Sequence, residues 1–438
     1  RYKGQIEKNC HESMGVITEK IWDTTAITPG TAFMEKLSLF LTKSFNKPSN
    51  YNVTEIIVSA PNEAGEGEHK IFEYIRMNTN YHQSTKTAIY GLDADLLMLT
   101  LNHLRCAEQL YLFRETPHFI KTIDSTLEPE KNYLIDMPEM AKAITSDLND
   151  GVDIKNDSQI QRMYDYIFIC FFLGNDFIIH SPSLSLRYNG LHHVTEAYKH
   201  CQEKYNHKFY LINTKTKSLI HWNNLREYIS VLESWENSII NETFQIRLKQ
   251  HKKYKRIYDD IQRNKGNIKS SKNKLGYPSE DIMRHKPVIF MDNEKKIFQS
   301  DNWIQQYNLY TNTESFTMIS VDELSKKVNN LCLKYIESLV WTTHYYFSQC
   351  ISQEWYYPYE YSPTLHDVKI FLHKQKKVKI QLNTTPYTPI EQLRYIFPKQ
   401  SYHLCDELEQ VDENDFITKI DKEYTLLKRY DWECHPII

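Results

Sequence analysis

Three short runs carry carboxylates at close spacing: Glu66-Gly67-Glu68, Asp93-Ala94-Asp95, and Asp176 within Gly174-Asn175-Asp176-Phe177. Five acids gathered in one place disfavour one another's ionisation and raise one another's pKa unless cations are present. Magnesium or manganese relieves that repulsion, because hard divalent ions prefer carboxylate and water oxygens. Two such ions can activate a water and stabilise the leaving oxygen of a phosphodiester. The chemistry on offer is phosphodiester hydrolysis. Spacing alone does not select it, since 56 acids among 438 residues produce about seven i, i+2 acid pairs by chance. Position is the stronger argument. Each pair falls just after a predicted strand, in the loops where open α/β sheets hold ligands, and Asp176 follows a buried helix in a comparable turn. The residues by themselves leave a plainer alternative open, that of solvated loop acids with Glu68 favouring a helix N-terminus. His69, His192 and His193 read as structural or surface groups, because a hard-cation carboxylate site has no need of imidazole.

The elements that must position these acids alternate between strand and helix over residues 1 to about 205, an α/β pattern. Residues 54–59 form a β-branched run stopped by Ala60-Pro61-Asn62, and beyond Gly65 and Gly67 the apolar Ile71, Phe72 and Ile75 recur at helical spacing. Residues 87–90 read as a second strand ending at Gly91, followed by an apolar segment over 96–101. Residues 159–173 read as a long apolar helix that Gly174 ends. From about Asn206 the texture changes to long, aromatic-rich helical segments at 222–242, 321–347 and 389–397, which sets an expected boundary near residue 205.

Composition narrows the function classes. Only 11 of 438 residues are glycine, no pair stands in P-loop spacing, and Gly65 and Gly67 meet Lys70 where a dinucleotide fingerprint wants its third glycine. The longest apolar stretch, residues 166–173, is far short of the roughly 18 needed to cross a bilayer, so no membrane partner is expected. Eight scattered cysteines without a C-x-x-C pair argue against zinc clusters and disulfides, and for a reducing compartment. The net charge of −3 hides a local surplus, since residues 247–274 hold eleven Lys/Arg against Asp259 and Asp260. That segment reads either as a solvated basic linker or as a nucleic-acid-facing surface. The chain opens Arg1-Tyr2-Lys3 without methionine and is expected to be a fragment.

The blocks around these acids carry a resemblance as well. Residues 58–71 (Val-Ser-Ala-Pro-Asn-Glu-Ala-Gly-Glu-Gly-Glu-His-Lys-Ile), 90–96 (Tyr-Gly-Leu-Asp-Ala-Asp-Leu) and 170–177 (Cys-Phe-Phe-Leu-Gly-Asn-Asp-Phe) closely resemble the XRN family of 5′→3′ exoribonucleases, in that order. Residues 22–31, 335–346, 355–359 and 386–393 resemble further blocks of that family, so the likeness spans nearly the whole chain. It implies a PIN/flap-endonuclease-like core with a parallel-type central sheet over 1–205, and a mostly helical second region over 206–438 that includes the basic segment 247–274. It also implies a magnesium- or manganese-dependent enzyme with two ions, which hydrolyses single-stranded, 5′-monophosphorylated RNA to mononucleotides. Of the family's seven metal-binding acids, Glu66, Glu68, Asp93, Asp95 and Asp176 match five, and the other two belong upstream of Arg1. Arg1 matches the end of the pocket for the 5′-phosphate, and Trp355 matches an aromatic that stacks on entering nucleotides. The chain departs from the family at Gln353, where a second tryptophan is common.

Two other readings share these residues. A flap-endonuclease-like, structure-specific DNA nuclease would use the same acids, but it needs a Gly-rich hairpin turn after its last aspartate. No glycine follows Asp176 here until Gly190. A catalytically incomplete RNA-binding protein is the third, and it applies to this fragment taken alone. An intracellular location is expected, cytoplasmic in preference to nuclear, because the basic run is not a compact import cluster.

Overall fold

The computed structural model describes residues 22–116, 120–129, 131–151, 156–263, 301–312, 319–397, 399–408, 419–420 and 436–437. Arg1, most of the basic segment 247–274 and residues 1–21 lie outside them or are described without side chains. The chain divides into two compact units. One comprises Arg1–Ala64, Asn241–Trp303 and Pro386–Ile438, and the other Gly65–Ile240 and Ile304–Thr385. All five candidate acids belong to the second.

The second unit is α/β. Strand β1 (Lys86–Tyr90) runs parallel to β2 (Gln109–Glu115), with Lys86 opposite Gln109 and Tyr90 opposite Phe113, and β3 (Asn132–Asp136) pairs antiparallel with β2. The parallel sheet expected from the resemblance is thus a small mixed one. The connections give the reason. Between β1 and β2 lies the Asp95–Asn102 helix, whose Leu96 and Leu99 are buried, a crossover able to return the chain parallel. Between β2 and β3 the described residues hold only the one-turn helix Ile120–Ile123, too short to cover a sheet face, and the chain returns antiparallel.

Residues 54–59, expected as a strand, hold no regular secondary structure and join no ladder among the described residues. Their β-branched side chains suit a strand only where a neighbour supplies the pairing, because β-propensity reflects packing on a sheet more than any backbone preference. The other expectations for elements hold. Residues 87–90 lie in β1, and 96–101 fall inside the Asp95–Asn102 helix. Residues 159–173 are covered by the Asn156–Cys170 helix and a 3-10 turn over Phe171–Leu173, which Gly174 ends with φ +88°. Val321–Phe347 is one helix of 27 residues, started by Ser320, whose hydroxyl accepts from the Glu323 N–H at 3.2 Å. The helix expected over 222–242 continues from Trp222 to Arg263.

The core of this unit gathers Phe72 and Ile75 from the Gly67–Met77 helix, Leu110 and Leu112 from β2, Ile167 and Phe168, Tyr228 and Leu232, and Ile336, Leu339 and Trp341. Two long-range bonds hold the end of the Val321–Phe347 helix against the Asp95–Asn102 region. Asn102 Nδ2 donates to the Tyr346 carbonyl at 2.6 Å, and Arg105 to the Phe347 carbonyl at 3.0 Å.

The first unit contains the Ala32–Ser44 and Pro389–Ile396 helices, the latter opened by a capping box between Thr388 and Glu391. Leu393, Phe397, Cys405 and Leu408 form its small buried cluster. Among the described residues no helix is long and apolar enough to cross a membrane, and the six described cysteines are free.

Candidate metal centre

Glu66 is the N-cap residue of the Gly67–Met77 helix, with extended φ and ψ and no side-chain bond to the cap, and Glu68 lies in the first turn. Burial of Phe72 and Ile75 fixes the helix, so its first turn presents both carboxylates from one end. Asp93 and Asp95 stand at the carboxyl end of parallel strand β1. Asp95 begins the Asp95–Asn102 helix, and its N–H donates to Asp93 Oδ1 at 3.1 Å. At Gly91, where the strand ends, an added Cβ would sit 2.2 Å from Leu96 Cδ1, so the end of that leucine side chain would have to shift to admit one.

Asp176 is presented by a different device. Gly174 takes a left-handed φ, and the Asn175 side-chain oxygen accepts from the Phe177 and Ile178 N–H groups, both at 2.9 Å, which leaves Asp176 exposed at the tip of the turn. Phe177 anchors the turn against Trp341 and Tyr345, at centroid distances of 4.8 and 5.3 Å.

The structure brings all five acids within electrostatic reach of one another. Burial, then the charges of Glu66, Asp93, Asp95 and Asp176, push the Glu68 carboxyl up to about 7. Glu66 is raised by burial and by Asp176, Asp95 and Asp93, against a hydrogen bond from Tyr345 that lowers it. Asp95 is raised by burial, Asp93 and Asp176, against a hydrogen bond from Tyr346. A cluster in which burial and mutual repulsion push Glu66, Glu68 and Asp95 toward their protonated forms, and whose donors are carboxylate oxygens, fits hard divalent cations. Glu66, Glu68 and His69 each offer a ligand atom within 4.8 Å of the others.

Three neighbours escape a reading of the sequence by spacing. Tyr345 and Tyr346, adjacent near the end of the Val321–Phe347 helix, place their hydroxyls on Glu66 and Asp95, two acids from different loops. They stand 279 and 251 residues along the chain from Glu66 and Asp95, and the folded packing brings them together, through the bonds of Asn102 and Arg105 and the contacts of Phe177 and His69 with Tyr345. His69, set aside as structural or surface, lies in the cluster itself, with Nε2 3.9 Å from Glu66. Its ring stacks on Tyr345 at 3.7 Å, and burial together with Arg76 pushes its pKa down to about 4, so it is neutral near pH 7.

Trp355 is not among the acids. It is half-buried, donates through Nε1 to Glu337 at 3.1 Å and stacks on Trp341 at 5.8 Å. Trp341, which is buried, stacks in turn on Tyr345 at 4.7 Å. A column of four rings, Trp355, Trp341, Tyr345 and His69, therefore runs to the acidic cluster. Tyr356, next to Trp355, is 72% exposed.

Comparison with known proteins identifies two segments of the chain. A family model described as the XRN 5′-3′ exonuclease N-terminus matches residues 2–116, and the Xrn1 helical domain matches residues 157–302 and 302–411. The chain is 25% identical to 5′-3′ exoribonuclease 2 of Arabidopsis thaliana over 89% of this chain and 47% of the plant protein. It is 27% identical to 5′-3′ exoribonuclease 1 of Homo sapiens over 91% of this chain and 24% of the human protein. Against 5′-3′ exoribonuclease 1 of Saccharomyces cerevisiae the identity is 25%, over 95% and 34%. The chain thus spans about half or less of the length of these curated relatives. Since the helical-domain model alone covers more than half of its residues, with the exonuclease model ahead of it, the chain belongs to the XRN family.

Proposed function

We propose that the protein containing this chain is a 5′→3′ exoribonuclease that hydrolyses single-stranded, 5′-monophosphorylated RNA to mononucleotides, on a PIN/flap-endonuclease-like core. The observation that carries this reading is the gathering of Glu66, Glu68, Asp93, Asp95 and Asp176 at one place, where burial first and the neighbouring carboxylates second push Glu68 up to about 7. These five acids would hold magnesium or manganese, two ions in this reading. Bound there, the metal would supply an activated water and charge stabilisation for the leaving oxygen.

The remaining roles fall to the chain's own groups. Tyr345 and Tyr346 hold the Glu66 and Asp95 carboxylates in place through their hydroxyls. The Asn175 turn holds Asp176 clear of the core and open to solvent. Trp355, at the far end of the ring column, offers a π-face on which a base can stack without sequence preference. Arg1, assigned to the 5′-phosphate, lies outside the described residues. The site of action in this reading is intracellular, cytoplasmic in preference to nuclear.

The test is a substitution in the full-length protein. Asp176→Asn keeps the side-chain shape and removes the charge. Release of mononucleotides from 5′-monophosphorylated RNA with manganese or magnesium is expected to be lost, and retention of wild-type activity would refute the assignment.

A further inference from the structure

We propose that the turn following the Leu365–Lys374 helix grips the phosphate backbone of the RNA strand; the proposal rests on the exoribonuclease reading above. From Val368 to Ile390 the sequence has no acid, against five lysines and His373. Lys374, Lys376, Lys377 and Lys379 are exposed, and none of them is in an ion pair among the described residues. Lys369, in the same run, shows the contrast, since it is neutralised by Glu233 at 2.7 Å. Arg226 adds a further cation to the turn by donating to the Lys376 carbonyl at 3.0 Å.

The lysines are mounted on an anchored segment. Val378 is buried and Ile380 packs against the core, so the alternation of an extended chain turns Lys377 and Lys379 outward. The Gln375 N–H, bonded to the Phe371 carbonyl at 2.8 Å, fixes the start of the turn. Complementing the helix dipole accounts for His373 and Lys374 in the last helical turn, and leaves Lys376, Lys377 and Lys379, beyond it, without that role.

The same segment leads toward the acidic cluster. Four residues past Lys379, a reach of at most about 14 Å, the Asn383 N–H donates to the Ile351 carbonyl at 3.0 Å and its carbonyl accepts from Gln353 at 2.7 Å. Between those two residues, the Ser352 carbonyl accepts from Trp341 Nε1 at 2.7 Å, at the centre of the ring column that ends at His69 and Glu66. A polyanion whose end is held at the acids and one of whose bases stacks on Trp355, at the outer end of that column, would meet these ammonium groups next. Lysine paired with phosphate releases counterions and reads no sequence, as suits a nuclease acting on RNA of any sequence.

The experiment compares the full-length protein with its K374Q/K376Q/K377Q/K379Q variant, and with K374A/K376A/K377A/K379A as a second form should the first fold poorly. Binding of 5′-monophosphorylated single-stranded RNA of about 25 and about 5 nucleotides is measured in chelator over a salt series. Loss of four phosphate contacts is expected to make the slope of log affinity against log salt shallower by about 3, and to weaken the long RNA tenfold or more at low salt. The short RNA should bind as before. Unchanged slope and affinity for the long RNA in the variant would overturn the proposal while leaving the nuclease reading intact. If the wild-type protein binds neither RNA, the proposal falls, and the nuclease reading is judged separately by release of mononucleotides with manganese.

Discussion

At the scale of single residues, the metal centre depends on carboxylates that burial and mutual repulsion push toward their protonated forms. Glu68, raised to about 7 by burial and by Glu66, sets the sign. A carboxyl whose folded pKa lies above its unfolded value binds more protons folded than unfolded, so this group makes the metal-free protein less stable as pH rises from about 4.5 to about 7. Metal binding displaces that proton, so manganese affinity should fall by up to about tenfold per pH unit below 7. Calorimetric titrations at pH 5.5 and 7.5 check this, and equal affinities would contradict it. Tyr345→Phe removes one hydroxyl from Glu66 and keeps the ring stack on His69, so metal binding should weaken about fivefold, near the 1 kcal/mol of an ordinary hydrogen bond. The five acids were legible in the sequence because two pairs and a lone aspartate sit beside glycine loops. Tyr345 and Tyr346 were not, because nothing in local spacing says that residues so far along the chain meet Glu66 and Asp95.

At the scale of elements, the loops that carry the acids depend on backbone that only some residues can adopt. Gly174, at φ +88° and with a would-be Cβ 3.2 Å from the His180 backbone nitrogen, has no tolerant substitute. Gly174→Ala should destabilise the protein by about 1–3 kcal/mol in denaturant unfolding and lower activity by displacing Asp176. Gly67, also close to the acids in sequence, has no atom within 4 Å of a would-be Cβ and begins a helix. Gly67→Ala should be neutral or stabilise by up to about 0.5 kcal/mol. Equal losses in the two variants would show that the glycines serve some property other than local geometry. Helices with a sustained apolar period, such as Val321–Phe347, could be read directly. Residues 54–59 could not, because a β-branched run becomes a strand only if another strand accepts it, and a single chain's local sequence does not name that partner. The antiparallel course of β3 was hidden for a related reason, since it is decided by what lies in the connection from β2.

At the scale of the whole molecule, two compact units each draw on separated stretches of chain. Net charge was uninformative: −3 over the chain conceals five coupled acids at one place and a lysine-rich turn free of acids at another. Family blocks supplied what composition did not, because they tie the acids to the helical segments that complete the site. The central claim is that these acids form one metal-dependent site for hydrolysis from the 5′ end. It is tested most directly by incubating the full-length protein with RNA carrying a 5′-monophosphate or a 5′-hydroxyl, with and without manganese, beside its Asp176→Asn variant, and resolving the products by length. The account predicts mononucleotides from the monophosphorylated RNA alone, only with metal, with a rate at least about 100-fold lower in the variant and its unfolding unchanged within about 0.5 kcal/mol. Internal cleavage products, or mononucleotides released equally by the variant or in chelator, would contradict it.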